Sequence, residues 1–211
     1  MVYGFKEMRQ DIIAKKYNKR PKVEWLTFLA NSIKMPLNTG AVMPSSGSLC
    51  KEMISKIDFS TKSSIIEIGP GTGAITSYIS RKICDGSMFS GIELNEKFVH
   101  ILQKKHPDFN WYCGSAENAH LLVNKKSFDH VICALPWTIF RESTQVKILE
   151  SILRISHQGT TFSTFAYLHG NNMRSAKRFQ SLLSHYFSDI EKSRVIWKNV
   201  PPALVYHTKV K

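Results

Sequence analysis

A chain of 211 residues with 43% hydrophobic and 21% charged side chains is long enough for one well-packed domain and too apolar to stay disordered. No run approaches the ~20 apolar residues that a membrane span needs, and charges scattered through residues 1–20 exclude a secretory signal. With 29 Lys and Arg against 16 Asp and Glu, the net charge of +13 points to a polyanionic partner, either nucleic acid or an anionic membrane surface. The cysteines (Cys50, Cys84, Cys113, Cys133) form no C-x-x-C pair, so reduced thiols in a cytosolic protein are expected and a metal site is not.

Residues 1–34 carry eight Lys or Arg against three acids. Phe5, Met8 and Ile12 recur at helical spacing among them. Beyond Pro21, a second amphipathic stretch holds Trp25, Phe28, Leu29 and Ile33. Basic helices of this kind either pack on their domain or lie in a lipid headgroup layer, where each cation contributes about 1 kcal/mol. Pro36 and Pro44 then exclude a helix across Met35–Ser46, and Ser45 or Ser46 is placed to cap a helix from Gly47 that carries Leu49, Met53, Ile54 and Ile57. A twelve-residue loop ahead of the fold suits a lid over a cofactor. The chain therefore divides into a basic, lid-bearing segment, 1–44, and a domain, 45–211.

Ile65-Ile66-Glu67-Ile68 reads as a buried strand, Gly69-Pro70-Gly71-Thr72-Gly73 as a tight loop, and Ala74 to Ile79 as a helix. Glycines are required where backbone must approach a ligand or adopt positive φ. Dinucleotide enzymes space them G-x-G-x-x-G around a pyrophosphate; here the spacing is G-x-G-x-G behind a strand acid. That variant resembles the nucleoside-binding loop of class I S-adenosylmethionine methyltransferases. Met88 to Glu93 forms a second apolar run ending in an acid, placed as in nucleoside-binding folds to accept hydrogen bonds from ribose hydroxyls.

Further strands are expected at Phe109–Cys113, at Phe128–Trp137, which runs into a rigid turn, and at Gly159–Tyr167, with helices over 142–156 and 172–187. Val195-Ile196-Trp197 and Ala203–His207, joined by the turn Asn199-Val200-Pro201-Pro202, read as a closing antiparallel hairpin. Alternation of strands and helices implies a mainly parallel sheet covered on both faces.

An α/β chain ending in such a hairpin is similar to the Rossmann-like, seven-stranded class I methyltransferase fold. A narrower resemblance exists. Pro36–Ser46 looks like the "NPLKTGAVAPSS" stretch of bacterial phospholipid N-methyltransferases, Glu67–Gly73 like their "ELGPGTG", and Asn199–Ala203 like their "N-(L/V)-P-P-A" turn. The resemblance implies stepwise methylation of phosphatidylethanolamine, with S-adenosylmethionine as donor and S-adenosylhomocysteine as product. It also implies a cytoplasmic enzyme held at the inner membrane face by its basic N-terminal segment. Thr39, Gly40, Glu67, Gly69, Gly71, Gly73, Glu93, Leu94 and Ala134 would hold the cofactor. Where such enzymes carry G-D-A after the third strand, this chain has Gly114-Ser115-Ala116, so Ser115, Ala116 and Glu117 are the adenine-side candidates.

Ala134-Leu135-Pro136-Trp137 resembles the family's G-L-P turn and, more loosely, the N-P-P-Y motif of amino-group methyltransferases, without its polar first residue. Leu135, Pro136 and Phe140 would line the acceptor side. Trp137, Phe140 and Tyr167 would offer aromatic faces to a methylated ammonium, unless Trp137 packs in the core. His169 or Tyr167 would relay a proton. Arg174, Lys177 and Arg178 share one helical face that either binds the lipid phosphate or is simply solvated. An RNA adenine dimethyltransferase fits the charge, but those enzymes carry Asn at the position of Ala134 and a helical domain beyond the hairpin. Nucleic acid is accordingly the lesser expectation, beside a soluble amine acceptor.

Overall fold

The computed structural model describes residues 45–125, 127–170 and 173–211, all within one compact unit. The N-terminal segment expected to bind membrane, and the lid residues Thr39 and Gly40, lie outside the described residues. The helices are α1 (Gly47–Met53), α2 (Thr76–Ile79), α3 (Glu96–Lys105), α4 (Ala119–Leu122), α5 (Glu142–Leu153) and α6 (Arg174–Tyr186). The strands are β1 (Ser64–Ile68), β2 (Met88–Glu93), β3 (Asn110–Cys113), β4 (Phe128–Cys133), β5 (Ser156–Tyr167), β6 (Phe187–Lys192) and β7 (Ala203–Val210).

The seven strands lie in the order β3-β2-β1-β4-β5-β7-β6. β1 to β5 run parallel, and β7 pairs antiparallel with both β5 and β6. β1 is buried along its whole length, as its nearly continuous apolar run requires of a central parallel strand. The strand order reverses between β1 and β4. Such a switch point opens a crevice beyond the carboxyl ends of the strands, where α/β proteins hold their ligands.

Ser46 caps α1 as the sequence predicts, its Oγ accepting the Leu49 amide at 3.2 Å. α1 buries Leu49, Cys50 and Met53 in one cluster with Ile65, Phe89, Ile132, Phe165 and Val205 from five strands. α5 buries Ile148, Leu149 and Ile152, and α6 buries Ala176, Phe179 and Leu183 at helical spacing. Among the described residues no helix is long and apolar enough to cross a membrane.

Two expectations change. The loop passes through turns before α2, which is only four residues long and starts at Thr76 rather than Ala74. The hairpin partner of β7 is Phe187–Lys192 and not 195–197, where Ile196 makes only an isolated bridge to Ala203. β6 is an edge strand with one buried residue, Phe187, stacked on Phe162 at 4.9 Å. Its register breaks between Ser188 and Glu191, where Asp189 takes φ 48°. Polar, irregular edges discourage pairing with other chains, and they also erase the apolar alternation by which a strand is recognised.

Candidate functional site

The residues predicted to bind cofactor come together because parallel strands end at a common level. Ile68 is in register with Ile92 and with Cys133, and Glu93 with Cys113. Gly69, Gly71 and Gly73 therefore sit beside Glu93 and Leu94, which lie beside Gly114 to Glu117 on one flank, while Ala134 to Pro136 lie on the other. Backbone bonds fasten the level: the Gly69 amide to Ile92 O, the Gly114 amide to Glu93 O and the Ala134 amide to Ile68 O, each 2.9 Å.

All three loop glycines have positive φ. Gly69 is roofed by Leu135, whose Cδ2 would lie 2.7 Å from an added Cβ. At Gly71, by contrast, an added Cβ would meet nothing within 4 Å. Its amide donates to Glu93 Oε2, and Glu93 Oε1 accepts the Asn95 amide, both at 2.9 Å. The acid on β2 thus organises the glycine loop directly. A carboxylate offers about four lone pairs, more than these amides use, so the group can accept a further donor. Burial raises the Glu93 pKa, and its amide contacts pull it back down.

Glu67 is fully buried. Its Oε2 accepts the Thr76 hydroxyl at 2.6 Å, and its Oε1 has no partner among the described residues. Loss of solvation pushes its pKa up to about 8, with the charge of Glu93 adding to the rise. An unpartnered buried carboxylate oxygen costs free energy unless something supplies a donor or cation. Open space at Gly71 and an unmet acceptor at Glu67 together fit a nucleoside ligand with a cationic amino-acid end, which is the chemistry of S-adenosylmethionine.

On the adenine side, Ser115 caps a short turn, its Oγ accepting the Glu117 amide at 3.3 Å. Glu117 Oε2 lies 3.9 Å from Lys147 Nζ on α5.

The acceptor side differs more from expectation. Trp137 is 2% exposed. Its ring stacks on Phe179 at 4.2 Å, and its Nε1 donates to Thr164 Oγ1 at 2.8 Å. Phe140 is also buried, edge-on to Trp137 at 6.2 Å. Both rings are core, so neither offers a face to a cation. Pro136 begins the turn that carries Trp137, and Gln145 Nε2 clamps that turn through Trp137 O at 2.7 Å. Tyr167 ends β5, half-buried and stacked on the exposed His169 at 5.8 Å. Burial raises the Tyr167 pKa, so it remains a phenol at neutral pH and is no base by itself. On α6, Arg174 and Lys177 are exposed. Arg178 Nη1 donates to Glu142 Oε2 at 3.2 Å.

Sequence reasoning missed Asn199 as more than a turn residue. It is 3% exposed, accepts the Ser46 amide on Oδ1 at 2.9 Å and donates from Nδ2 to Pro201 O at 2.7 Å. The Leu168 amide donates to Pro202 O at 2.8 Å. The end of the loop at 45–46, the Asn-x-Pro-Pro turn and the end of β5 are therefore one connected edge of the site. An Asn inside a Pro-rich turn was the available signal. Among the described residues no group of three or more metal-ligating side chains occurs. All four thiols are free, with Cys50 and Cys133 buried, Cys84 half-buried and Cys113 exposed.

Residues 65–159 match a family model described as a methyltransferase domain. Protein 235L of Invertebrate iridescent virus 6, named as a methyltransferase, is 25% identical over 96 residues, 44% of this chain and 35% of its own length. An ornithine lipid N-methyltransferase of Singulisphaera acidiphila is 20% identical over 189 residues, covering 87% of this chain and 94% of that one. Among solved structures, the N-methyltransferase NodS of Bradyrhizobium japonicum in complex with S-adenosylhomocysteine superposes with TM-score 0.62 at 12% identity, over 77% of this chain and 84% of that one. The fold is that of the class I methyltransferases, and the domain match supports S-adenosylmethionine as the cofactor.

Proposed function

We propose that this chain, with a methyltransferase domain on a class I methyltransferase fold, transfers methyl groups from S-adenosylmethionine to the amine headgroup of a membrane phospholipid, phosphatidylethanolamine and its partly methylated forms. The observation that carries the lipid reading is the end-to-end relation to an ornithine lipid N-methyltransferase, which extends well beyond the shared cofactor half. Three stretches resembling the phospholipid enzymes agree with it. Two of them meet in space, where Asn199 holds Ser46.

When bound, the cofactor supplies an electrophilic methyl group on a positively charged sulfur. Glu93 and the Gly71 loop would hold the nucleoside end, and Glu67, which keeps its proton in the empty fold, would ionise against the cationic amino-acid end. The protein must present the acceptor amine neutral and in line, since positioning carries most of the acceleration in such a displacement. His169, exposed beside Tyr167 at the end of β5, would take the ammonium proton, with the Tyr167 hydroxyl as a relay. On this reading the enzyme works in the cytoplasm at the inner membrane face, with its basic N-terminal segment on anionic lipid.

The test is methyl transfer from labelled S-adenosylmethionine to phosphatidylethanolamine in detergent micelles and in vesicles. The expected products are mono-, di- and trimethylated lipid in micelles, and a chain lacking residues 1–24 should retain cofactor binding while losing turnover on vesicles. Failure to label the lipid in micelles, with labelling of a soluble amine or an RNA adenine instead, would overturn the lipid reading.

A further inference from the structure

Four large apolar side chains stand exposed at the carboxyl end of β4 and β5: Ile139 at 42%, Met173 at 50%, Trp197 at 69% and Val200 at 65%. They lie on three segments that touch. An added Cβ on Gly170 would be 3.1 Å from Thr138 and 3.8 Å from Met173, which joins the first two segments. The Leu168–Pro202 hydrogen bond joins the second to the third.

The third segment is a pinned turn. Ile196 bridges Ala203, the Asn199 amide donates to Ile196 O at 3.2 Å, and the Asn199 side chain fastens Pro201 and Ser46. Trp197 and Val200 are thus held outward by a fixed backbone, and neither is needed for the turn's own packing. Single exposed apolar residues are ordinary, whereas a group of them rimmed by polar side chains marks an interaction surface.

The charge around the group is one-sided. Arg141, Arg174, Lys177, Arg194 and Lys198 are exposed on the same segments, and the acid among them, Glu142, is engaged by Arg178. Apolar tips with a cationic surround complement an anionic bilayer, the tips entering the acyl boundary and the cations meeting headgroup phosphates. A single-stranded nucleic acid would call for aromatic stacking platforms, and three of these four tips are aliphatic or thioether.

We infer that this face of the folded domain is a second bilayer-docking surface, independent of the N-terminal segment, which seats the mouth of the site against anionic lipid. The inference rests on the lipid reading for its purpose, yet it is tested separately. In the intact 211-residue chain, Trp197→Ser with Val200→Ser is expected to weaken partitioning onto phosphatidylethanolamine–phosphatidylglycerol vesicles at least about tenfold, since two apolar side chains leave the acyl boundary. Among the described residues Trp197 is the exposed indole, and a Trp25→Phe background removes the one tryptophan that lies outside them. There, vesicles with brominated acyl chains should quench the emission, and further Trp197→Phe should abolish the quenching.

Partitioning within twofold of the parent, or quenching that survives Trp197→Phe, overturns the docking surface, even if the chain methylates phosphatidylethanolamine in micelles. Absent methylation in micelles with quenching intact defeats the lipid-substrate reading instead and leaves the surface standing. RNA binding that the double substitution weakens, with vesicle binding untouched, also overturns it.

Discussion

Glu67→Gln separates the charge of the buried carboxylate from its shape. In the folded chain, burial moves this group from the ordinary 4.5 to about 8, so between those values the folded state holds a proton that the unfolded state has released. Its contribution to stability is complete below pH 4.5 and is lost as pH rises towards 8. That interval, at about 1.4 kcal/mol per pH unit, is worth about 5 kcal/mol as a ceiling. Glutamine can still accept the Thr76 hydroxyl but does not titrate. Its extra N–H groups add an offset that does not vary with pH. The assay is urea unfolding of both chains without cofactor from pH 4.5 to 8.5. With a slope of about 2 kcal/mol per molar urea, the midpoint of the variant should gain up to about 2.5 M on the parent across that range. A difference between the two chains that stays constant with pH would refute the reasoning, because Glu67 would then be ionised throughout.

Gly71→Val places a branched side chain at positive φ in the open space beside Glu93, and should abolish S-adenosylmethionine binding by calorimetry while the circular dichroism of the domain is kept. Trp137→Phe should lower stability by about 1–2 kcal/mol through loss of the bond to Thr164, yet change the rate constant for methyl transfer less than threefold; a hundredfold fall would return the ring to the reacting centre. Asn199→Ala removes a buried amide that serves Ser46 and Pro201. It should cost about 2–3 kcal/mol in thermal or urea unfolding, and a cost below about 0.5 kcal/mol would show that the edge holds without it.

The cofactor half of the site was legible because it is local. β1, β2 and β3 each stop at a glycine or an acid, and parallel pairing brings those stops to one level without further information. The acceptor half depends on partners far along the chain. An aromatic after Leu135-Pro136 reads the same whether it faces a cleft or the interior, and Phe179, over forty residues later, settles it for Trp137 by stacking. The pairing of Arg178 with Glu142 of the preceding helix likewise has no spacing in α6 to announce it. The Glu67–Thr76 bond spans the loop and has no spacing rule behind it. β6 was displaced because an edge strand with one buried residue carries almost no apolar pattern.

The hydrogen bond between Ser46 and Asn199 joins positions 153 residues apart. During synthesis the amino-terminal side of this latch leaves the ribosome long before its keeper has been translated, so the contact forms only after the carboxyl-terminal part of the domain has emerged. A nascent or prematurely terminated chain would thus carry the glycine loop without its fastening, and would be exposed to proteases at that seam.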